Sequence, residues 1–271
     1  MNADAALSNP SRPDPLAPLM ELEGVAEAAQ RAADAVSGVH RHRANLRKWN
    51  VTGSESVLRG ARASAWLEGG EPAMPAEGDV TDPTLAAALR AADPISPETI
   101  DETVRVWRRA PIQVLARLAL IASPTGPELA DAPTDARSSD AGRPVGDEKL
   151  SAAMKEQRLH LLGDLVSGGT SVPDTVLSAV VHGELLTMRP FADNNGIVAR
   201  AASRLTTIAG GSDPRGLGVP EVYWTRHRDE YRAAAEAFAS GDPEGVRRWI
   251  LLHLAGLEAG AVEARGIAEA V

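Results

Sequence analysis

The chain has 271 residues, 44% of them hydrophobic and only 3% aromatic, enough for one large domain or two small ones with a core built mainly from Ala, Val and Leu. Its formal net charge of -9 argues against broad nucleic-acid binding, which needs many Lys and Arg against phosphate. The lack of cysteine excludes disulfides and thiolate metal sites, and no apolar run approaches the ~20 residues of a membrane span, so a cytoplasmic protein without a membrane partner is expected.

Met1 to Leu19 lacks the charged start and apolar core of a signal peptide. With Pro10, Pro13, Pro15 and Pro18 it reads as a disordered tail ahead of a single domain over 20–271. Met20, Val25, Ala28, Ala32 and Val36 predict a first helix over Met20–Val39. The basic cluster Arg41-His42-Arg43 and Arg47-Lys48 reads as a solvated face. Thr52 or Ser54 can cap a second helix that carries Val57, Leu58, Ala61, Ala65 and Trp66 and ends at Gly69-Gly70. A loop rich in Pro and Gly runs to Val80, and a short helix is expected over Asp82–Ala92. A longer helix starts at Pro97-Glu98 and runs through Trp107; Pro111 marks a break, and another helix covers Ile112–Ala122. Ser123 to Gly146, with Pro124, Pro127, Pro133 and Pro144, is expected to be a long irregular loop, either functional or a floppy insertion. Further helices are expected over Asp147–Leu165, from Ser171 or Asp174 to Met188, from Asn195 to Gly210-Gly211, and as a pair broken at Gly241-Asp242-Pro243 within Glu221–Val271. Without a βαβ rhythm or an internal repeat, the fold class is all-α.

The stretch from Arg189 to Arg200 carries the chemistry. Pro190 stops the helix before it, because it disfavours helical geometry at Arg189. Asn194, Asn195 and Gly196 tolerate tight or left-handed backbone. Ile197, Ala201, Leu205 and Ile208 form one apolar stripe, so a buried helix begins at about Asn195. Its free N–H groups and positive dipole end then converge on one spot suited to phosphate. Asp193 could hold a Mg2+ ion shared with phosphates, and the Arg200 fork suits phosphate or carboxylate.

This stretch resembles the Fic (Fido-domain) family motif, His-Pro-Phe-x-Asp/Glu-Gly-Asn-Gly-Arg-x-x-Arg. Pro190, Phe191, Asp193, Asn195, Gly196 and Arg200 match in register, while Arg189, Asn194 and Ile197 stand where the family has His, Gly and Arg. The helix before it, with His182, and the later Tyr223, Tyr231-Arg232-Ala233-Ala234, Gly241-Asp242 and Trp249-Ile250 are similar to the family's flanking helices. Ser64-Ala65-Trp66-Leu67-Glu68-Gly69 matches its inhibitory-helix pattern, Ser/Thr-x-x-x-Glu-Gly/Asn. The resemblance, by pattern, spans about residues 50–260. It implies a Fido-like helical bundle with an inhibitory-type segment at 54–70, a core over 97–260 and a flap-like loop.

Family members move AMP from ATP onto a protein hydroxyl, so the resemblance implies ATP, Mg2+ and a target protein as partners. It assigns Asn194, Asn195, Gly196 and Arg200 to phosphate, Asp193 to the metal, and Ser64, Glu68 and Gly69 to regulation. Glu68 would pair with Arg200 and block the seat of the ATP γ-phosphate. Arg189, at the general-base position, cannot act as a base, because guanidinium stays protonated and has no acceptor. Base help is worth roughly 10² to 10⁴ in rate, and Ile197 removes one phosphate contact worth about 1.5 to 3 kcal/mol. His182 lies seven residues before Arg189, about 10 Å along the helix, and reads as a structural histidine. The leading expectation is therefore a diverged Fido protein that binds a nucleotide or another phosphorylated small molecule, with AMP transfer weak or lost. An active transferase with a non-standard base or substrate, and a non-catalytic interaction scaffold, are the alternatives. A two-fold homodimer is the commonest assembly for such a domain.

Overall fold

A computed structural model describes residues 13–76, 79–124 and 142–271. Parts of the expected tail (1–12), of the Pro- and Gly-rich loop (77–78) and of the irregular loop (125–141) lie outside the described residues. Among the described residues every regular element is helical, which makes the fold all-α. The helices are α1 Val25–His40, α2 Arg43–Arg47, α3 Trp49–Leu67, α4 Pro83–Ala92, α5 Ile100–Trp107, α6 Pro111–Ala122, α7 Ala152–Asp164, α8 Asp174–Met188, α9 Asn195–Gly210, α10 Pro220–Arg226, α11 Arg228–Ala239 and α12 Pro243–Glu269.

Proline opens four of them, α4, α6, α10 and α12, where a missing N–H costs nothing. Asp82, Ser151 and Asp242 accept bonds from first-turn N–H groups and fix the starts of α4, α7 and α12. At the end of α3, Gly70 N–H bonds Ala65 O and Gly69 N–H bonds Trp66 O, with Gly69 left-handed at φ 90. This paired closure satisfies two orphan carbonyls and turns the chain sharply away from α3.

The centre of the molecule is the pair α8 and α9, packed along each other. Thr175–Gly183 of α8 and Asn195–Ile208 of α9 are buried without interruption, as befits helices enclosed on all sides. Around α9 lie α3, α4, α5 and α6; against α8 lie α11 and α12; and α1 packs on α12. Leu177, Val181 and Leu185 of α8 join an apolar cluster with α4, α5, α6 and α9, while Val176 and Ala179 join a second with α1, α11 and α12. Alanines fill much of both clusters, and Trp107, Trp224 and Trp249 supply the large buried rings.

Several elements differ from the sequence expectation. α1 starts at Val25, after left-handed Gly24, and a 3-10 turn at Ala17–Glu21 precedes it. Asp14, in the expected tail, accepts hydrogen bonds from Thr170 and Ser171 and ties the residues around it to the start of α8. α3 begins at Trp49, so Thr52 and Ser54 lie inside it and cap nothing; Ser54 and Ser56 donate back to the carbonyls of Asn50 and Thr52. The short α2 was not anticipated, α5 starts at Ile100 and α7 at Ala152. Pro111 is the first residue of α6. The 221–271 region holds three helices, because the chain turns at His227 between α10 and α11.

Candidate functional site

α8 ends because Pro190 cannot continue it, and Arg189 closes it in left-handed geometry at φ 47. Phe191, 3% exposed, anchors the loop that follows. The Asn195 side chain clasps Phe191 twice: Oδ1 accepts from Phe191 N–H at 2.8 Å, and Nδ2 donates to Phe191 O at 2.7 Å. Asn194, at φ 51, donates from Nδ2 to Ala122 O at 2.6 Å. Lys155, fully buried on α7, donates to Arg189 O at 2.9 Å and pairs with Asp147 at 2.6 Å. Val145 N–H reaches Pro190 O at 2.8 Å, so the chain leading into α7 runs beside the loop.

Arg200 lies one turn into α9 and is 1% exposed. Its Nε donates to Ser64 Oγ at 2.8 Å, and Nη2 donates to Ser64 O at 3.0 Å and to Glu68 Oε1 at 2.8 Å. Nη1 donates to Tyr231 Oη at 3.3 Å. Ser64, in the last turn of α3, and Glu68, the residue that caps it, stand four residues apart, and a single guanidinium spans both. The Glu68 carboxylate lies against the first turn of α9: a methyl group on Gly196 would overlap Glu68 Oε1. The electropositive helix mouth expected to hold an anion thus already faces an acidic group of the same chain. Glu68 keeps 31% of its side-chain surface in solvent, so its contact with Arg200 is worth about 1 to 2 kcal/mol after screening.

Glu68 opens onto a cleft of about 400 Å³, lined also by Leu186, Arg189, Tyr231, Arg232 and Glu236. Arg189 is exposed there, with no hydrogen bond or ion pair on its guanidinium among the described residues. Asp193 is exposed, and no group of three or more candidate metal ligands occurs among the described residues. The Asn195 side chain is engaged within the loop and Asn194 Nδ2 donates to the end of α6, so backbone N–H groups are the more direct means for this turn to meet an anion. Ile197 points into the core at 2% exposure and adds no apolar surface to the cleft. The basic cluster lies elsewhere, along a separate groove of about 450 Å³ lined by His42, Arg43, Arg47 and Lys48.

His182 is sealed in the core, its ring centroid 4.7 Å from that of Trp224 and 4.9 Å from that of Trp249. Burial, then the nearby His253 and Arg200, holds its pKa well below the usual imidazole value. Burial takes His253 down to about 3 and Tyr231 up to about 12. Sequence reasoning gave no role to Tyr231, His253 or Lys155. A signal existed for His253, which sits four residues after Trp249 and four before Leu257 on one apolar face of α12. No helix among the described residues is long and apolar enough to cross a membrane. Compared with protein-family models and with curated proteins, the chain gives no match to either.

Proposed function

We propose that the chain is a diverged Fido-domain protein whose cleft receives a nucleotide or another phosphorylated small molecule at the mouth of α9. The observation that carries this reading is the 2.8 Å contact between Glu68 and Arg200. Two segments 132 residues apart meet as the resemblance implies, although nothing in the composition or spacing of either one requires it. In this reading Glu68 holds the place of an acidic ligand group, and the ligand must displace it. Asp193, exposed on the loop, would share a Mg2+ ion with the ligand's phosphates; a single carboxylate suffices when phosphate supplies further oxygens. Arg189 adds an exposed cation to the cleft but no acceptor for a proton. His182 cannot serve instead, since it is fully buried and engaged on both ring nitrogens. AMP transfer to a protein hydroxyl is therefore weak or lost.

Thermal unfolding with and without ATP and Mg2+ tests the reading. Glu68→Gly is expected to gain a ligand-dependent rise in Tm larger than that of wild type. No shift in either protein overturns it. Transfer of label from the α-phosphate to protein should stay at background in both. A second reading, an interaction scaffold, is favoured by the internal use of the Asn194 and Asn195 side chains. It becomes the better account if Glu68→Gly binds nothing yet folds normally.

A further inference from the structure

Behind Arg200 lies an uninterrupted line of buried polar groups. Arg200 Nη1 meets Tyr231 Oη at 3.3 Å, and Tyr231 Oη meets His182 Nε2 at 2.8 Å. His182 Nδ1 meets His253 Nδ1 at 3.2 Å, and His253 Nε2 meets Ser178 Oγ at 3.0 Å. Ser178 Oγ ends the line on Thr175 O at 2.8 Å. Five helices contribute: α8, α9, α11 and α12, with α3 holding the other edge of Arg200.

The position of every proton follows from the two ends. A carbonyl only accepts, so Ser178 donates to Thr175 O and must accept from His253 Nε2–H. A neutral imidazole carries one N–H, so His253 Nδ1 accepts from His182 Nδ1–H, and His182 Nε2 accepts from Tyr231 O–H. Tyr231 then has its oxygen turned to Arg200, and guanidinium, which only donates, supplies that bond. The two ends demand the same direction, and no polar atom of these side chains is left orphaned. Glu68 and Glu221 are the acidic groups whose charge reaches Tyr231, and Arg200 is the cation beside it.

We propose that Tyr231, His182 and His253 are positioning residues, a one-way hydrogen-bond chain that sets the plane of the Arg200 guanidinium for an acidic group at the cleft. The groups could have been apolar, since alanine, valine, leucine and tryptophan side chains fill much of the rest of this region. A polar line through a buried core costs stability unless complete, and its complete form fixes one orientation of its terminal donor. Its use on a bound ligand rests on the anion-site reading above; its hold on Arg200 does not.

A double-mutant cycle separates positioning from mere packing. Tyr231→Phe keeps the ring and removes the hydroxyl. Glu68→Gln is expected to lower the folding equilibrium constant by about tenfold in wild type and by less than about threefold in Tyr231→Phe, because a loosened Arg200 no longer rewards the carboxylate. Equal losses in both backgrounds overturn the proposal. A measurement on the unaltered protein stands even if Tyr231→Phe does not fold. Nitrogen-15 spectra of the imidazoles should show His182 protonated at Nδ1 and His253 at Nε2; His182 protonated at Nε2 overturns the proposal. For the ligand, ATP with Mg2+ should bind Glu68→Gly at least about tenfold more tightly than Glu68→Gly/Tyr231→Phe. If Glu68→Gly binds no ATP, the anion reading fails, while the cycle and the spectra still decide the chain.

Discussion

At Gly196 one hydrogen atom decides how closely α3 approaches α9. A Cβ there would occupy the place of Glu68 Oε1, with Arg200 Nη1 next to it. Glu68 is the flexible partner and has solvent to move into, so Gly196→Ala should push it outward. We expect a loss of about 1 to 3 kcal/mol, the worth of a charge-assisted hydrogen bond with some strain. Urea unfolding measures it, and the loss should nearly vanish when Glu68→Gly is already present. An undiminished loss would mean that the methyl strains the backbone itself. Arg200 behaves differently, because it cannot leave. Arg200→Met would take the donor away from both Ser64 oxygens, while Glu68 turns to solvent and the Tyr231 hydroxyl keeps its bond to His182, and about 1 to 3 kcal/mol should be lost.

At the scale of elements, the turn between α8 and α9 is held from outside as well as within. Lys155 reaches it from α7 and bonds Arg189 O, the carbonyl that α8 leaves exposed at its end. Lys155→Met keeps the bulk and removes this bond. The Val145 amide, bonded to Pro190, should then exchange its hydrogen faster, while amides within α9 keep their rates. This turn was legible in the sequence because its signals are local: a proline stop, two asparagines and a glycine. The N-terminus of α3 was not. Thr52 and Ser54 look like caps, yet their hydroxyls bond carbonyls three and four residues back within the helix. α2 was missed because five residues give no period to read. At the site, the meeting of Glu68 with Arg200 came from family resemblance, since no local pattern announces a contact across the chain. The use of Asn195 to clasp Phe191 was hidden for the same reason that made it look like a phosphate ligand: one amide serves either partner equally well.

For the whole molecule, the two core imidazoles tie stability to pH. Both have folded-state pKa values below the ordinary 6.5, so the unfolded chain takes up protons that the folded chain refuses. Their contribution is complete above about pH 6.5 and falls as pH drops below it, toward about 3 for His253. The slope should approach about 1.4 kcal/mol per pH unit for each histidine. Urea unfolding at pH 7.5, 6.0 and 5.0 would reveal it above the range where carboxylates contribute, and a His182→Gln/His253→Gln protein should be flatter. The same enclosure gives the molecule an internal clock. Carbon-bound ring hydrogens of histidine trade with heavy water only where the solvent can reach them. His160, on the outer side of α7, should take up deuterium freely, whereas the enclosed pair must wait for the bundle to come apart. Their labelling, read by mass, would count complete openings and ignore every smaller breath of the surface.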